Sequence, residues 1–97
     1  MTIYLKKFGT LLNGRMLGKE AFAAFLPSLK DVQGNEKIEV DCDGVDVFSP
    51  SWGDEFLSSL INKFGDRVVL KNAQGPSVKS TLEFLEGINK MKFKIED

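Results

Sequence analysis

Ser49 and Ser51 flank Pro50, and two carboxylates, Asp54 and Glu55, follow within a turn. A serine at a helix start has two uses. It caps the helix by accepting a backbone N–H. Alternatively it receives a phosphoryl group, which the free N–H groups and the helix dipole favour. Ser49 is placed for capping, with Pro50 at the first helical position, where a missing N–H costs nothing. Ser51 falls inside the first turn and is the candidate phosphoacceptor. The chain holds no histidine, so the commonest general base and metal ligand is missing.

Charge bears on that chemistry. Between Ile38 and Asn62 stand Glu39, Asp41, Asp43, Asp46, Asp54 and Glu55, with no lysine or arginine. A phosphoserine adds about −1.5 to −2 charge. Asp54 and Glu55 lie three and four residues beyond Ser51, on its side of a helix. A phosphate there is repelled on the free protein, which suits a switch that ends binding, or a serine never modified. The acidic surface also suits a basic partner or a cation. The aspartates alternate sides of a strand without loop-ligand spacing, so no metal site is expected. Cys42 alternates with Ile38 and Val40 and reads as a buried small hydrophobe. Arg15 reads as a carboxylate or helix-end partner, or as an anion contact. Trp52 reads as part of an apolar helix stripe, or as a contact anchor if exposed.

The elements that must position these residues follow from periodicity. Residues 2–7 alternate as a short strand, and 8–14 read as a loop. From Arg15 to about Lys30, Met16, Ala21, Phe22, Phe25, Leu26 and Leu29 recur with helical spacing, with Pro27 shortening or kinking the last turn. Gly34-Asn35 signals a turn. Residues 37–42 are the clearest strand. Pro50 to Phe64 is the clearest helix, carrying Trp52, Phe56, Leu57, Leu60, Ile61 and Phe64 and stopping at Gly65. Val68-Val69-Leu70 predicts a strand covered on both faces. Pro76 opens a third helix with Val78, Leu82, Leu85 and Ile88 on one face. Met91, Phe93 and Ile95 alternate with Lys92, Lys94 and Glu96 as an edge strand. The order β-α-β-α-β-α-β predicts an α/β domain: a mostly parallel or mixed sheet of about four strands with three helices packed on it. In such folds function gathers where strands end and helices begin, as at residues 47–53.

Size and composition narrow the classes. Ninety-seven residues fit one domain, with 42% hydrophobic and 28% charged residues. One core is affordable at this length; the walls of a large substrate cavity are not, which counts against most multi-step enzymes. A net charge of −1 gives no field for nucleic acid or anionic membrane. No apolar run approaches a membrane span, and the N-terminus MTIYLKKFG has no signal-peptide core. A single cysteine excludes an internal disulfide. A cytoplasmic location is expected.

The stretch VDCDGVDVFSPSWGDEFL resembles the central motif of STAS domains, the sulphate-transporter and anti-sigma-factor-antagonist family, in which a strand turns through a D-S-S-G-L corner into a helix. VVLKNAQGPSVKSTLEFLEGI is similar to the family's next strand, loop and helix. The closest resemblance is to a bacterial STAS-like group of unknown function, with R-x-x-G (Arg15, Gly18), S-x-S-x-x-D-E-F/L (Ser49, Ser51, Asp54, Glu55, Phe56) and L-x-N (Leu70, Asn72). The resemblance implies a STAS-like fold over nearly the whole chain. It implies a regulatory module, not an enzyme, with no cofactor. Its partner would be an anti-sigma or histidine-kinase-like ATP-binding protein that phosphorylates the residue matching Ser51. Ser49, Ser51, Trp52, Asp54 and Glu55 would form the docking corner, with Arg15 and Asn72 in anion-binding or structural roles. Ser49 replaces the family's aspartate and Trp52 its glycine.

Two other readings stay open. One is a small-molecule or nucleotide-sensing module with an anion at the helix start. The other is remote: IEVDCDG resembles the D-x-D-G of haloacid-dehalogenase-type phosphatases, which would make Asp41 a nucleophile and Asp43 an acid/base.

Overall fold

Four parallel strands form the main sheet in the order β1-β3-β5-β6. They are β1 (Thr2–Tyr4), β3 (Ile38–Asp41), β5 (Val68–Lys71) and β6 (Lys94–Glu96). The computed structural model describes residues 1–96. A second, two-stranded parallel sheet joins β2 (Leu11–Leu12) to β4 (Val47–Phe48). The helices are α1 (Arg15–Leu29), α2 (Pro50–Gly53), α3 (Ser59–Phe64) and α4 (Pro76–Asn89). A π turn, Asp54–Ser58, joins α2 to α3, so the expected single helix over 50–64 is one run with a widened turn at its centre. The STAS-like α/β expectation, with about four strands and three helical bodies, holds.

One face of the sheet makes the core. In register, Ile3, Val40, Leu70 and Ile95 point the same way. Ile3, Ile38, Val40, Val68 and Leu70 join the buried cluster with Phe48, Trp52, Phe56, Leu57, Leu60, Leu82 and Leu85. The opposite face carries Thr2, Tyr4, Glu39, Asp41, Lys71, Lys94 and Glu96, which are exposed or half-buried. Val69 sits on that face, buried yet outside the core cluster. On this face Lys71 pairs with Glu39 at 2.5 Å, and Lys37 with both Glu96 oxygens at 2.7 and 2.8 Å. The expectation that β5 is covered on both faces holds, since Val68, Val69 and Leu70 are all buried.

Other local departures have physical causes. The first strand ends at Tyr4, because residues Leu5–Phe8 coil into a 3-10 turn that buries Leu5. The expected loop at 8–14 contains β2, too short to show any period. Pro27 lies inside α1, two residues before its end, and the closing Lys30 N–H turns back to the Pro27 carbonyl at 3.4 Å. Met16 does not face the core. It is 74% exposed at the N-terminal end of α1, and Ile88 on α4 is 56% exposed. No described helix is long and apolar enough to cross a membrane.

Candidate functional site

The corner begins where β4 stops. Ser49 is extended (φ −78°, ψ 153°) and the chain then turns helical at Pro50. The Ser49 Oγ accepts the Trp52 N–H at 3.2 Å, the expected N-cap, and also the Gly14 N–H at 3.2 Å. Its third neighbour is Ser51 Oγ at 3.3 Å. A hydroxyl has two lone pairs and one proton. Either hydroxyl of the pair can be the donor, and Ser51 is half-buried. The corner is pinned on further sides. The Ser49 N–H donates to the Leu12 carbonyl at 2.9 Å. The Phe48 N–H donates to Ser77 Oγ at 2.9 Å, and the Thr81 hydroxyl donates to the Phe48 carbonyl.

Gly14 is also the N-cap of α1, with no side-chain cap of its own. Two helix starts therefore converge on the serine pair. Gly18 explains how they come so close. A Cβ there would lie 2.7 Å from the Trp52 carbonyl oxygen and 2.9 Å from Trp52 Cα. Glycine permits this backbone contact, and one turn earlier Arg15 reaches across it. Arg15 Nη1 donates to Glu55 Oε1 at 2.9 Å and to Asp54 Oδ2 at 3.0 Å. These hydrogen bonds, that to Glu55 first, push the guanidinium pKa above its ordinary value. The R-x-x-G spacing thus places a small contact residue and a cation on one face of α1. The acidic run is not as unrelieved as its linear sequence suggests, because the balancing charge comes from outside residues 38–62.

Trp52 is corrected as a partner contact. It is 2% exposed. Its ring stacks on Phe56 at 5.0 Å and 16° and is flanked by Phe48 at 5.7 Å and Phe8 at 6.0 Å. This large side chain fills the core beneath the corner. Asn72 works elsewhere. In the left-handed region (φ 54°), it donates to Asp41 Oδ1 at 2.9 Å, and the Asp43 N–H donates to the same oxygen at 2.9 Å. The Asn72 bond is the first cause holding the Asp41 carboxyl below its usual range. Asp41 thereby ties the ends of β3 and β5, and Arg15 and Asn72 do not meet. Burial pushes the Cys42 thiol up to about 12, so it stays protonated at neutral pH. Among the described residues no group of three His, Cys, Asp or Glu side chains is arranged to hold a metal ion.

Sequence reasoning missed Ser77 and Thr81, the hydroxyls of α4 that clamp Phe48. The available signal was Thr81, a polar residue set between the buried Val78 and Leu82. It also missed an apolar rim. Leu11 and Val47 are register partners on the small sheet, 65% and 40% exposed, and Met16 and Leu17 are exposed beside Arg15.

No curated protein and no solved structure matches the chain. The family model described as the STAS-like domain of unknown function (DUF4325) matches residues 18–78. That span contains Gly18 of the helix contact, the whole serine corner and the Asp41–Asn72 tie, and the chain belongs to this family.

Proposed function

We propose that the chain is a regulatory protein-interaction module that docks an ATP-binding, kinase-like partner through the corner from Ser49 to Glu55, with Ser51 as phosphoacceptor. The observation that carries this reading is the Ser49–Ser51 contact, with the Ser51 oxygen half-buried at the head of a helical run. A base on the partner would take the Ser51 hydroxyl proton as its oxygen attacks the γ-phosphorus of the partner's ATP, breaking the bond to the β-phosphate and releasing ADP. The helix start favours the resulting phosphate, while Arg15 is already taken by Asp54 and Glu55. Leu11, Val47, Met16 and Leu17 offer the apolar contact area that the buried Trp52 cannot. A phosphate beside Asp54 and Glu55 adds negative charge to the docking surface and weakens binding to a partner that matched the unmodified form.

The test is incubation with ATP and the ATP-binding, kinase-like protein encoded beside this chain's gene, read by intact mass and by co-elution. The expected result is one phosphoryl group gained by the wild type, none by Ser51→Ala, and a complex that phosphorylation dissociates. Absence of both complex and adduct, or an adduct that persists in Ser51→Ala, removes this reading.

A further inference from the structure

A cavity of about 530 Å³ opens on the side of the helical run that Asp54 and Glu55 share with Ser58. It is lined as well by Asn89, the last residue of α4, by Met91 and Phe93 after that helix, and by Ile61 of α3. This volume is in the range of small-ligand sites. The wall is pre-formed. The Phe93 N–H donates to Glu86 Oε2 at 2.8 Å, and the Met91 N–H to the Glu86 carbonyl at 3.2 Å.

The sign of the ligand follows from the lining. Its charged residues are Asp54 and Glu55, and no lysine or arginine lines it among the described residues. Arg15 is shared between the two carboxylates, so the trio sums to −1. Asp54 has both oxygens engaged, Oδ2 by Arg15 and Oδ1 by the Ser58 hydroxyl at 3.0 Å. Glu55 gives Oε1 to Arg15, and among the described residues no hydrogen bond engages its Oε2. The lining therefore combines an available carboxylate oxygen with the hydrocarbon of Ile61, Met91 and Phe93.

We infer that this cavity binds a small organic cation, an ammonium on a short apolar body, with the charge on Glu55 and the hydrocarbon against Ile61, Met91 and Phe93. Anionic ligands, nucleotides included, are disfavoured by the same charge. The inference does not rest on modification of Ser51, since neither Ser49 nor Ser51 lines the cavity.

The experiment is a backbone amide NMR titration of the full chain at neutral pH with three probes of equal length: hexylammonium, hexanol and hexanoate. Hexylammonium is expected to give saturable shifts confined to residues 54–62 and 89–93. Hexanol should bind more weakly at the same place, and hexanoate about threefold or more weaker than hexanol. Glu55→Gln should weaken hexylammonium about threefold and leave hexanol unchanged. Asn89→Lys, a change at an exposed position, should do the same without disturbing the Arg15 pair. Equal binding of hexanoate and hexylammonium, shifts that map elsewhere or never saturate, or indifference of hexylammonium to both substitutions would overturn the assignment.

Discussion

The Arg15 guanidinium and the Glu55 carboxylate are 40 positions apart in the chain and meet at 2.9 Å, with Asp54 on the same nitrogen at 3.0 Å. The contact exists because Gly18 lets α1 rest on the Trp52 backbone. Arg15→Ala is therefore expected to leave the fold intact and to lower the urea midpoint slightly in dilute buffer. The pair is exposed, so the difference should vanish near 1 M salt, where the screening length falls to about 3 Å. Urea titrations at low and high salt check this; a loss that survives high salt would mean the arginine acts through packing.

Gly18→Ala is expected to cost about 1–3 kcal/mol, since the new methyl meets backbone that cannot rotate away. Gly87→Ala is the matched control. It lies within α4 with nothing within 4 Å of the added atom, and should gain about 0.5–1 kcal/mol from helix propensity. Denaturant midpoints with unchanged slopes would report both.

The two serines separate by stability. Ser49 Oγ satisfies two backbone donors, so Ser49→Ala should cost about 1–2 kcal/mol. Ser51 caps nothing, and Ser51→Ala should stay within about 0.5 kcal/mol. A costly Ser51→Ala in thermal or chemical unfolding would show that Ser51 is structural, and its use as a null variant in phosphorylation assays would fail.

Trp52 reports on the core beneath the corner. Its fluorescence should be blue-shifted and poorly quenched by acrylamide, and Trp52→Ala should cost about 3–5 kcal/mol. Ready quenching of the native protein would place the ring at the surface and restore it as a docking contact.

Acid should undo the tie between β3 and β5. Asp41 has a folded pKa below its unfolded value of about 3.9, so its contribution is complete above that value and lost as pH falls through the lower folded value. Glu39, held down by its hydrogen bond to Lys71, follows the same sign. Asn72→Gly keeps a residue at ease with φ 54° and removes the amide. It should be less stable than the wild type at pH 7, with the gap closing toward about pH 2. A gap independent of pH would assign the loss to something other than the Asp41 carboxylate.

Periodic elements were legible because their apolar spacing is set by one buried face: α1, β3, the run from Pro50, β5 and α4 all read that way. The cap at Ser49 was legible because serine before proline has a local reason to be there. What escaped depends on contacts between distant segments. The two-residue strand β2 exists only because β4 pairs with it. Arg15 read as a carboxylate partner, but which carboxylates it meets, Asp54 and Glu55, depends on the packing of α1 on the corner. Trp52 could be assigned to core or surface only once Phe8, Phe48 and Phe56 were seen around it.

The bare side of the sheet has a consequence for where the molecule loosens. β6 is a short edge strand with no buried residue of its own, moored by Glu96 to Lys37 and by Lys94 to Asp66. Moorings of that kind slacken in brine while oily contacts tighten. Fraying should then start at this margin, with the amides of 94–96 exchanging fastest as salt rises, and it would prise open the crevice beside Phe93 from its rear wall.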